Sequence, residues 1–347
     1  MTHTTVRPRN AAEDFPLNWL GLPASRKTLS LFDAAQAIPA FVKRPFQAAP
    51  DVPRAAVNPY YEVIVRLPTD EDPAEVPVGL VSRNYQLVQH HEVLQRAAGM
   101  LASFGIDLNQ VEVNLCLTIH GERMALGLVF PRDSEYTFAV SRGDIMAMYL
   151  EFINSVDGTL RLTLRVSWLR LVCTNGLTVR EVLWDYSRLH VGTEILNEFE
   201  DYLPAAVNSV ATYKTLFQQW MKTTVTDEAF DSWIETTDRQ TWGLKAAVRA
   251  YHIARRGVDV HIEKMLRRVP VTKILVSDKG PVIGALAGSL SIFAISQMLT
   301  WLAGDRGEFQ EQLNWKIQVF EMLKKLVPKS SQRELFESPG VGVVMVH

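Results

Sequence analysis

Cysteine is scarce in this chain, with two residues among 347. Cys116 and Cys173 each have apolar neighbours, and neither belongs to a Cys-x-x-Cys pair. This pattern argues against a disulfide framework and against a structural zinc site built from cysteines. It fits a protein of a reducing compartment, and we predict a cytoplasmic location.

The sequence also lacks a large excess of charge of either sign. It has 36 Lys and Arg residues, 38 Asp and Glu residues and a formal net charge of −2. A uniformly basic surface is therefore excluded, so any affinity for nucleic acid must come from local patches. Residues 1–14 lack the apolar core of a secretory signal peptide.

Recognised catalytic motifs are missing as well. The sequence contains no P-loop and no Gly-x-Gly-x-x-Gly, His-Glu-x-x-His or Gly-x-Ser-x-Gly motif. We therefore predict a protein that is not an enzyme and that carries no cofactor or metal. An alternative is a cysteine nucleophile at Cys173, with Asn175 and His190, although no helix N-terminus is evident beside Cys173 to activate it.

The densest group of histidines is His90-His91-Glu92. Consecutive residues point in different directions on a helix or a strand, so these side chains would chelate one metal ion poorly. We interpret the group as the exposed start of a helix.

One long run without charge extends from Pro281 to Gly304 and could span a bilayer by its length. It contains internal glycines, serines and a glutamine, and its apolar residues surround the whole helix. Such a helix is also typical of the buried core of a large protein, and we favour that interpretation.

Hydrophobic periodicity divides the chain into regions. Residues 1–58 form a Pro/Ala-rich N-terminal arm, and residues 59–192 are predicted to form a β-rich core whose first strand begins at Tyr60. Residues 193–328 have helical periodicity and are assigned to the same domain, and residues 329–347 form a loose polar tail. The predicted fold class is α+β, with an antiparallel β-sheet in the N-terminal half and a helical C-terminal half packing on it.

Three local signals predict individual elements. A helix over residues 241–256 should end at Gly257. Residues 258–269 are predicted to form another short helix. The Val156-Asp157-Gly158 sequence should form the turn of a hairpin between two long strands.

The strand after this turn is rich in arginine. Leu160, Leu162, Leu164, Val166 and Trp168 fall on one face, whereas Arg161, Thr163, Arg165 and Ser167 fall on the other. Beyond Trp168 the apolar phase slips by one residue, as at a bulge. A solvated sheet face would explain these arginines, and so would phosphate contacts from Arg161, Arg165 and Arg170 to an extended single strand.

A second basic region runs from Arg249 to Lys279. It contains eight basic and three acidic residues, an asymmetry that favours an anionic partner in a protein of net charge −2. The residues predicted to bind nucleic acid here are Arg255, Arg256, Arg267, Arg268 and Lys273.

Two segments carry a resemblance to a known family. "GLVSRNYQLVQHHEVL" and "NSVDGTLRLTLRVSWLRLVCTNGL" resemble motifs of the phage/plasmid-like protein family, a domain of unknown function numbered 932. "SRLHVGT" is similar to an Arg-His-Thr sequence that follows in the family. The residues that carry this resemblance include Tyr85, Asp157, Gly158, Cys173 and Asn175. The chain departs from the family pattern at His90, Val156 and Gly176, where the family often has Asn, His and Thr.

The resemblance covers most of the chain and implies a mobile genetic element as the source, with no established activity. Together with the basic regions it leads to the prediction of a nucleic-acid-binding protein, engaging single-stranded DNA in recombination or replication as a homo-oligomer. The layout is also similar to that of phage single-strand annealing proteins. An alternative is a protein-interaction module that engages a host replication or defence protein through the same basic surface.

Overall fold

The computed structural model describes residues 17–47, 56–70, 72–141, 144–172, 178–191, 210–264, 269–336 and 345–346. The predicted fold class is confirmed: antiparallel sheets occupy the N-terminal half, and helices lie mostly in the C-terminal half. A large apolar core joins the main sheet to these helices.

Most of the strands in the described part of the chain lie in its N-terminal half. They are β1 (Leu17–Trp19), β2 (Leu22–Leu29), β3 (Phe41–Gln47), β4 (Val57–Arg66), β5 (Val76–Ser82), β6 (Glu112–Thr118), β7 (Arg123–Val129), β8 (Thr137–Ser141), β9 (Asp144–Ser155), β10 (Leu162–Val172), β11 (Thr178–Arg188), β12 (Val258–Ile262), β13 (Val276–Pro281) and β14 (Met345–Val346).

The helices follow the same chain order. They are α1 (Leu31–Ala37), α2 (His90–Ser103), α3 (Val210–Lys222), α4 (Asp227–Trp233), α5 (Arg239–Thr241), α6 (Leu244–Arg256), α7 (Ile292–Gly304), α8 (Phe309–Lys324) and α9 (Lys329–Phe336). Short 3₁₀ turns occupy Leu108–Gln110 and Val271–Lys273.

The main sheet has the strand order β1-β2-β6-β7-β9-β10-β11-β14, and β8 pairs with the first part of β9. Its neighbours are antiparallel except for β14, which runs parallel to β11. The predicted hairpin is confirmed, because β9 and β10 pair in antiparallel register around the Asp157-Gly158 turn. The apolar face of β10 points into the large core, where Leu162, Leu164 and Trp168 are completely buried.

A smaller antiparallel sheet of order β3-β4-β5 packs beside the main sheet. On its inner face Phe41, Ile64 and Val81 form a cluster with Val156, the residue that leads into the hairpin turn. The small sheet therefore lies directly against the turn at which β9 ends.

The N-terminal region is more regular than predicted. The first strand begins at Leu17, not at Tyr60, because β1 and β2 extend the main sheet beside β6. The ring centroids of Trp19 and Phe309 lie 4.5 Å apart, so the aromatic residue of β1 packs on the first residue of α8. The first part of the predicted tail is also more regular than expected, since α9 begins at Lys329 and buries Leu335 and Phe336.

The helical half confirms one local prediction and corrects another. Helix α6 ends at Gly257, whose φ of +68° is the left-handed conformation that glycine adopts readily at a helix C-terminus. Residues 258–262 do not start a helix: β12 pairs with β13. Val258, Val260 and Ile262 are β-branched residues at alternate positions, and the pairing with β13 decides their conformation.

The uncharged run becomes a loop followed by a buried helix. In α7 the side chains are buried on all sides, including the polar Ser296, Gln297 and Thr300. In the described part of the chain, no helix is long and apolar enough to cross a membrane.

A π-helical turn over Ile234–Asp238 joins α4 to α5. Asp238 is fully buried, and neither of its carboxyl oxygens has a hydrogen-bond partner among the described residues. Burial raises the pKa of Asp238 to about 8, because a charged carboxylate loses its hydration there.

Candidate functional site

The arginine row of β10 is covered rather than exposed. Arg161 is exposed, but Arg165 and Arg170 keep only 6% and 3% of their surface. Arg165 and Arg170 therefore do not lie at the surface, where the predicted phosphate contacts would need them. Both faces of β10 are packed, which is why Trp168 and Leu169 are both completely buried although they are consecutive.

Buried charges on β10 have neighbours of opposite charge or polar backbone atoms. The register places Arg165 directly opposite Glu151 of β9, and Glu151 is also buried. Such opposite-charge pairs between adjacent strands stabilise a sheet. Arg170 donates from Nη1 to the carbonyl oxygen of Gly284 at 2.5 Å and so ties the strand to the loop before α7.

Two arginines of the second basic region are neutralised by ion pairs. Arg255 pairs with Asp227 and with Asp231, the latter at 2.7 Å, and Arg256 pairs with Asp278 at 2.6 Å. The residues that neutralise Arg255 come from α4, outside the basic region of residues 249–279.

The other residues of this region that were predicted to bind nucleic acid are Lys273, Arg267 and Arg268. Lys273 is exposed. Arg267 and Arg268 lie outside the described residues. The described part of this region therefore does not present a continuous strip of free positive charge. Arg255 and Arg256 are paired with aspartates, and lysine side chains remain exposed.

The family-motif residues that the structure describes, Tyr85, Asp157 and Gly158, come together at one place. Asp157 accepts from Arg123, with Nη2 and Oδ2 3.0 Å apart, and both side chains are buried. Arg123 also donates from Nη1 to the backbone oxygen of Trp19 at 2.7 Å. Asp157 accepts from the amide and the hydroxyl of Thr159 and so shapes the hairpin turn. Cys173 and Asn175 lie outside the described residues.

The turn sits tightly on the small sheet. A Cβ on Gly79 of β5 would lie 2.7 Å from the Cα of Asp157, a distance that real Cβ atoms do not reach. Gly158 has φ of +77°, the left-handed region that glycine adopts without strain. Its nearest neighbours are the side chains of Val81 and Tyr85. The two glycines therefore allow the turn and β5 to make close contact.

Tyr85 links the turn to the end of β11. Its hydroxyl donates to the carbonyl oxygen of Ser155 at 2.8 Å, and its ring stacks on His190 with centroids 5.0 Å apart. Burial, with a further contribution from Asp157, raises the pKa of the Tyr85 phenol, so the ring stays neutral.

His90 is not an exposed residue at a helix start, as the sequence predicted, but is completely buried. One ring nitrogen, Nε2, lies 2.8 Å from the carbonyl oxygen of Gly121, and Nδ1 lies 2.9 Å from the amide nitrogen of Asn154. Nε2 therefore donates and Nδ1 accepts in a neutral ring. Burial lowers the pKa of His90 to about 4. No group of three potential metal ligands occurs among the residues that the structure describes.

His190 has a similar environment. It is buried, its Nδ1 lies 3.3 Å from the carbonyl oxygen of Gln86, and burial lowers its pKa to about 4. We call Tyr85, His90, Arg123, Asp157 and His190 the motif cluster. Apart from Arg123 and Asp157, which form an ion pair, its side chains are neutral. The motif cluster therefore connects the hairpin turn, the small sheet and the start of α2 and has a structural role.

Two exposed cations border the motif cluster. Arg83 follows the end of β5, and its amide donates to the carbonyl oxygen of Tyr60 at 3.0 Å. Arg161 follows the hairpin turn at the start of β10. Neither guanidinium has an acidic partner among the described residues, in contrast to Arg255 and Arg256. The sequence singled out Arg161 but missed Arg83, which stands alone between polar residues.

Comparison with known protein families gives a match. The family described as "Domain of unknown function (DUF932)" matches residues 77–264, more than half of the chain. The matched range contains the whole motif cluster, and it confirms the resemblance to a domain of unknown function. No curated protein and no solved structure matches the chain.

Proposed function

The chain belongs to the family defined by the domain of unknown function DUF932, and from that premise we propose that it is a nucleic-acid-binding protein that engages single-stranded DNA. The proposal includes a mobile genetic element as its context, with a role in recombination or replication resembling annealing, and a homo-oligomeric state. The motif resemblance to phage and plasmid proteins supports this context.

The observation that carries the proposal is the pair of exposed, unpaired cations beside the motif cluster. Arg83 and Arg161 flank the Asp157-Gly158 turn, and no described carboxylate neutralises them. An arginine whose charge is free in the folded protein can displace counterions from a phosphate backbone, whereas one already paired with aspartate gains less.

We assign the phosphate contacts to Arg83 and Arg161, in place of most of the residues predicted from the sequence. Arg165 and Arg170 are buried, and Arg255 and Arg256 already have carboxylate partners. Rigid support comes from the Arg123–Asp157 ion pair, which holds the turn between the two free cations.

The test is fluorescence anisotropy with a labelled single-stranded oligonucleotide of random sequence over a range of salt concentrations. The double variant Arg83→Ala/Arg161→Ala should bind more weakly, and its salt slope should fall by about 0.7 for each lost phosphate contact. Arg256→Ala is the matched control, because it removes an exposed arginine whose charge is already paired with Asp278.

Equal affinity and equal slope in the double variant and the wild type would contradict the assignment of this surface. No binding by the wild type at low salt would contradict the function itself. That second outcome would favour the alternative of a module that engages an acidic protein partner through the same cations.

A further inference from the structure

The π-helical turn over Ile234–Asp238 encloses a carboxyl group that has no hydrogen-bond partner. Asp238 is completely buried, and neither of its carboxyl oxygens accepts from a donor among the described residues. The turn has π geometry because the amide of Arg239 donates to the carbonyl oxygen of Ile234, five residues earlier. Single π turns are rare within helices and are frequent at functional sites. A buried polar group without a partner costs stability, so this turn is a weak point of the helical half.

Among the described residues, no neighbouring cation compensates the Asp238 carboxyl. The turn packs against α4, α5 and α6. From α8, the backbone oxygen of Met322 accepts from the indole of Trp233, and the side chain of Gln318 accepts from the indole of Trp242. Neither of these acceptors on α8 is charged. The charged and titratable residues of α4, α5 and α6 are paired with other groups or are exposed: Arg255 with Asp227 and Asp231, Arg239 with Glu235, Arg249 with Asp259 and Asp305, Arg256 with Asp278 and beside His252, and the exposed Glu228 and Lys245.

Glu235 and Arg239 connect the π turn to the segment that leads into β13. The carboxylate of Glu235 accepts from the amide of Val271, the first residue of a 3₁₀ turn. The guanidinium of Arg239 pairs with Glu235 at 2.8 Å and donates to the carbonyl oxygen of Val269 at 3.4 Å. The same 3₁₀ turn ends at Lys273, an exposed cation of the second basic region. The conformation of the π turn therefore determines how this segment is held.

A charged carboxylate is not stable in this environment. Loss of the Asp238 proton leaves a buried charge that has neither a counter-ion nor a hydrogen-bond donor among the described residues, and water is then what stabilises it. Water reaches the carboxylate only if the turn opens, and a local opening takes less free energy than global unfolding. Burial raises the pKa of Asp238 to about 8, so the loss of the proton falls near neutral pH.

We propose that the π turn is a pH-sensitive latch, which is closed while Asp238 is protonated and which opens and releases residues 269–271 when Asp238 loses its proton. In the closed state Glu235 and Arg239 hold this segment. In the open state these bonds are broken and the 3₁₀ turn that carries Lys273 is free to move. The inference goes beyond the proposed function and does not depend on it.

The test is hydrogen exchange followed by mass spectrometry on the full chain, with the wild type and Asp238→Asn compared at the same pH. The peptide of residues 269–275 is identical in the two proteins, so its intrinsic exchange rate cancels. Opening of the wild-type latch should become about tenfold more favourable per pH unit until the pH approaches 8, because the open state gives up the proton more readily. From pH 6 to pH 7.5 the ratio of wild-type to Asp238→Asn exchange rates should rise about 25-fold in residues 234–242 and 269–275.

Two further variants separate the latch from a general loss of stability. Asp238→Leu is also uncharged and should lack the rise, as Asp238→Asn does. Glu235→Ala should exchange rapidly in residues 269–275 at both pH values and keep the pH dependence of residues 234–242. A ratio that stays constant with pH in these segments overturns the proposal. So does an equal rise in all peptides, which indicates global unfolding, and so does a rise confined to residues 234–242, which shows that the segment before β13 is not released.

Discussion

Replacing Asp238 with asparagine should remove one specific dependence of stability on pH. The carboxyl group is fully buried in the π-helical turn, and burial raises its pKa from 3.8 to about 8. The folded state therefore holds this proton more tightly than the unfolded state does. The stability that it contributes is fully present below about pH 4 and is lost as the pH rises toward 8.

The magnitude follows from the proton balance. Between these limits the unfolded chain has one proton fewer at Asp238 than the folded chain, so the free energy of unfolding falls by about 1.4 kcal/mol per pH unit. From about pH 6 to about pH 7.5 the loss is on the order of 2 kcal/mol. Asp238→Asn is uncharged at both pH values and should show none of this loss.

Urea unfolding, followed by tryptophan fluorescence at the two pH values, measures the difference. Asp70→Asn is the matched control, because it makes the same substitution at an exposed residue of the β4–β5 loop, away from the π-helical turn. The reasoning is refuted if the wild type and Asp238→Asn change by the same amount between the two pH values.

Two further predictions concern the hairpin turn. Gly79→Ala should lower the free energy of unfolding by about 1–3 kcal/mol, because the new Cβ meets the backbone of Asp157. Gly99→Ala is the control: at this open helical position alanine should raise the free energy of unfolding by up to about 1 kcal/mol. Equal effects of the two substitutions in denaturant titrations would contradict the close packing. Asp157→Asn should cost about 3–5 kcal/mol by leaving the Arg123 guanidinium buried without its counter-charge. A cost below about 1 kcal/mol in the same titration would mean that the pair is solvated.

Local patterns in the sequence were sufficient for several elements. Strict alternation predicted which side of β10 enters the core, since Leu162, Leu164 and Trp168 are all buried there. The Asp157-Gly158 turn and the end of α6 at Gly257 follow from the conformations that glycine alone adopts easily. These features depend on residues close together in the chain.

Features that depend on distant residues could not be predicted in this way. Alternation divides β10 into two faces but does not reveal that the arginine face is covered as well, with Glu151 of β9 opposite Arg165. Similarly, the excess of basic residues around Arg255 is offset by Asp227 and Asp231, which lie outside that stretch and which α4 brings to Arg255. The sequence predicts an exposed His90 because it does not show that Gly121 and Asn154, which are distant in the chain, enclose the ring.

The pairing of β2 with β6 shows that the segment matched by the family is shorter than the segment that folds together. The family match begins at residue 77 and ends at residue 264, so β1, β2 and α8 lie outside it. Yet β2 covers the edge of β6, and Phe309 and Leu313 of α8 pack with Cys116 and Ile153 inside the matched range. A fragment cut at the limits of the match would expose an unpaired strand edge and an apolar patch, which are the conditions for aggregation. Expression boundaries for this protein therefore belong outside the matched segment, before Leu17 and beyond α9, whose Leu335 and Phe336 are buried.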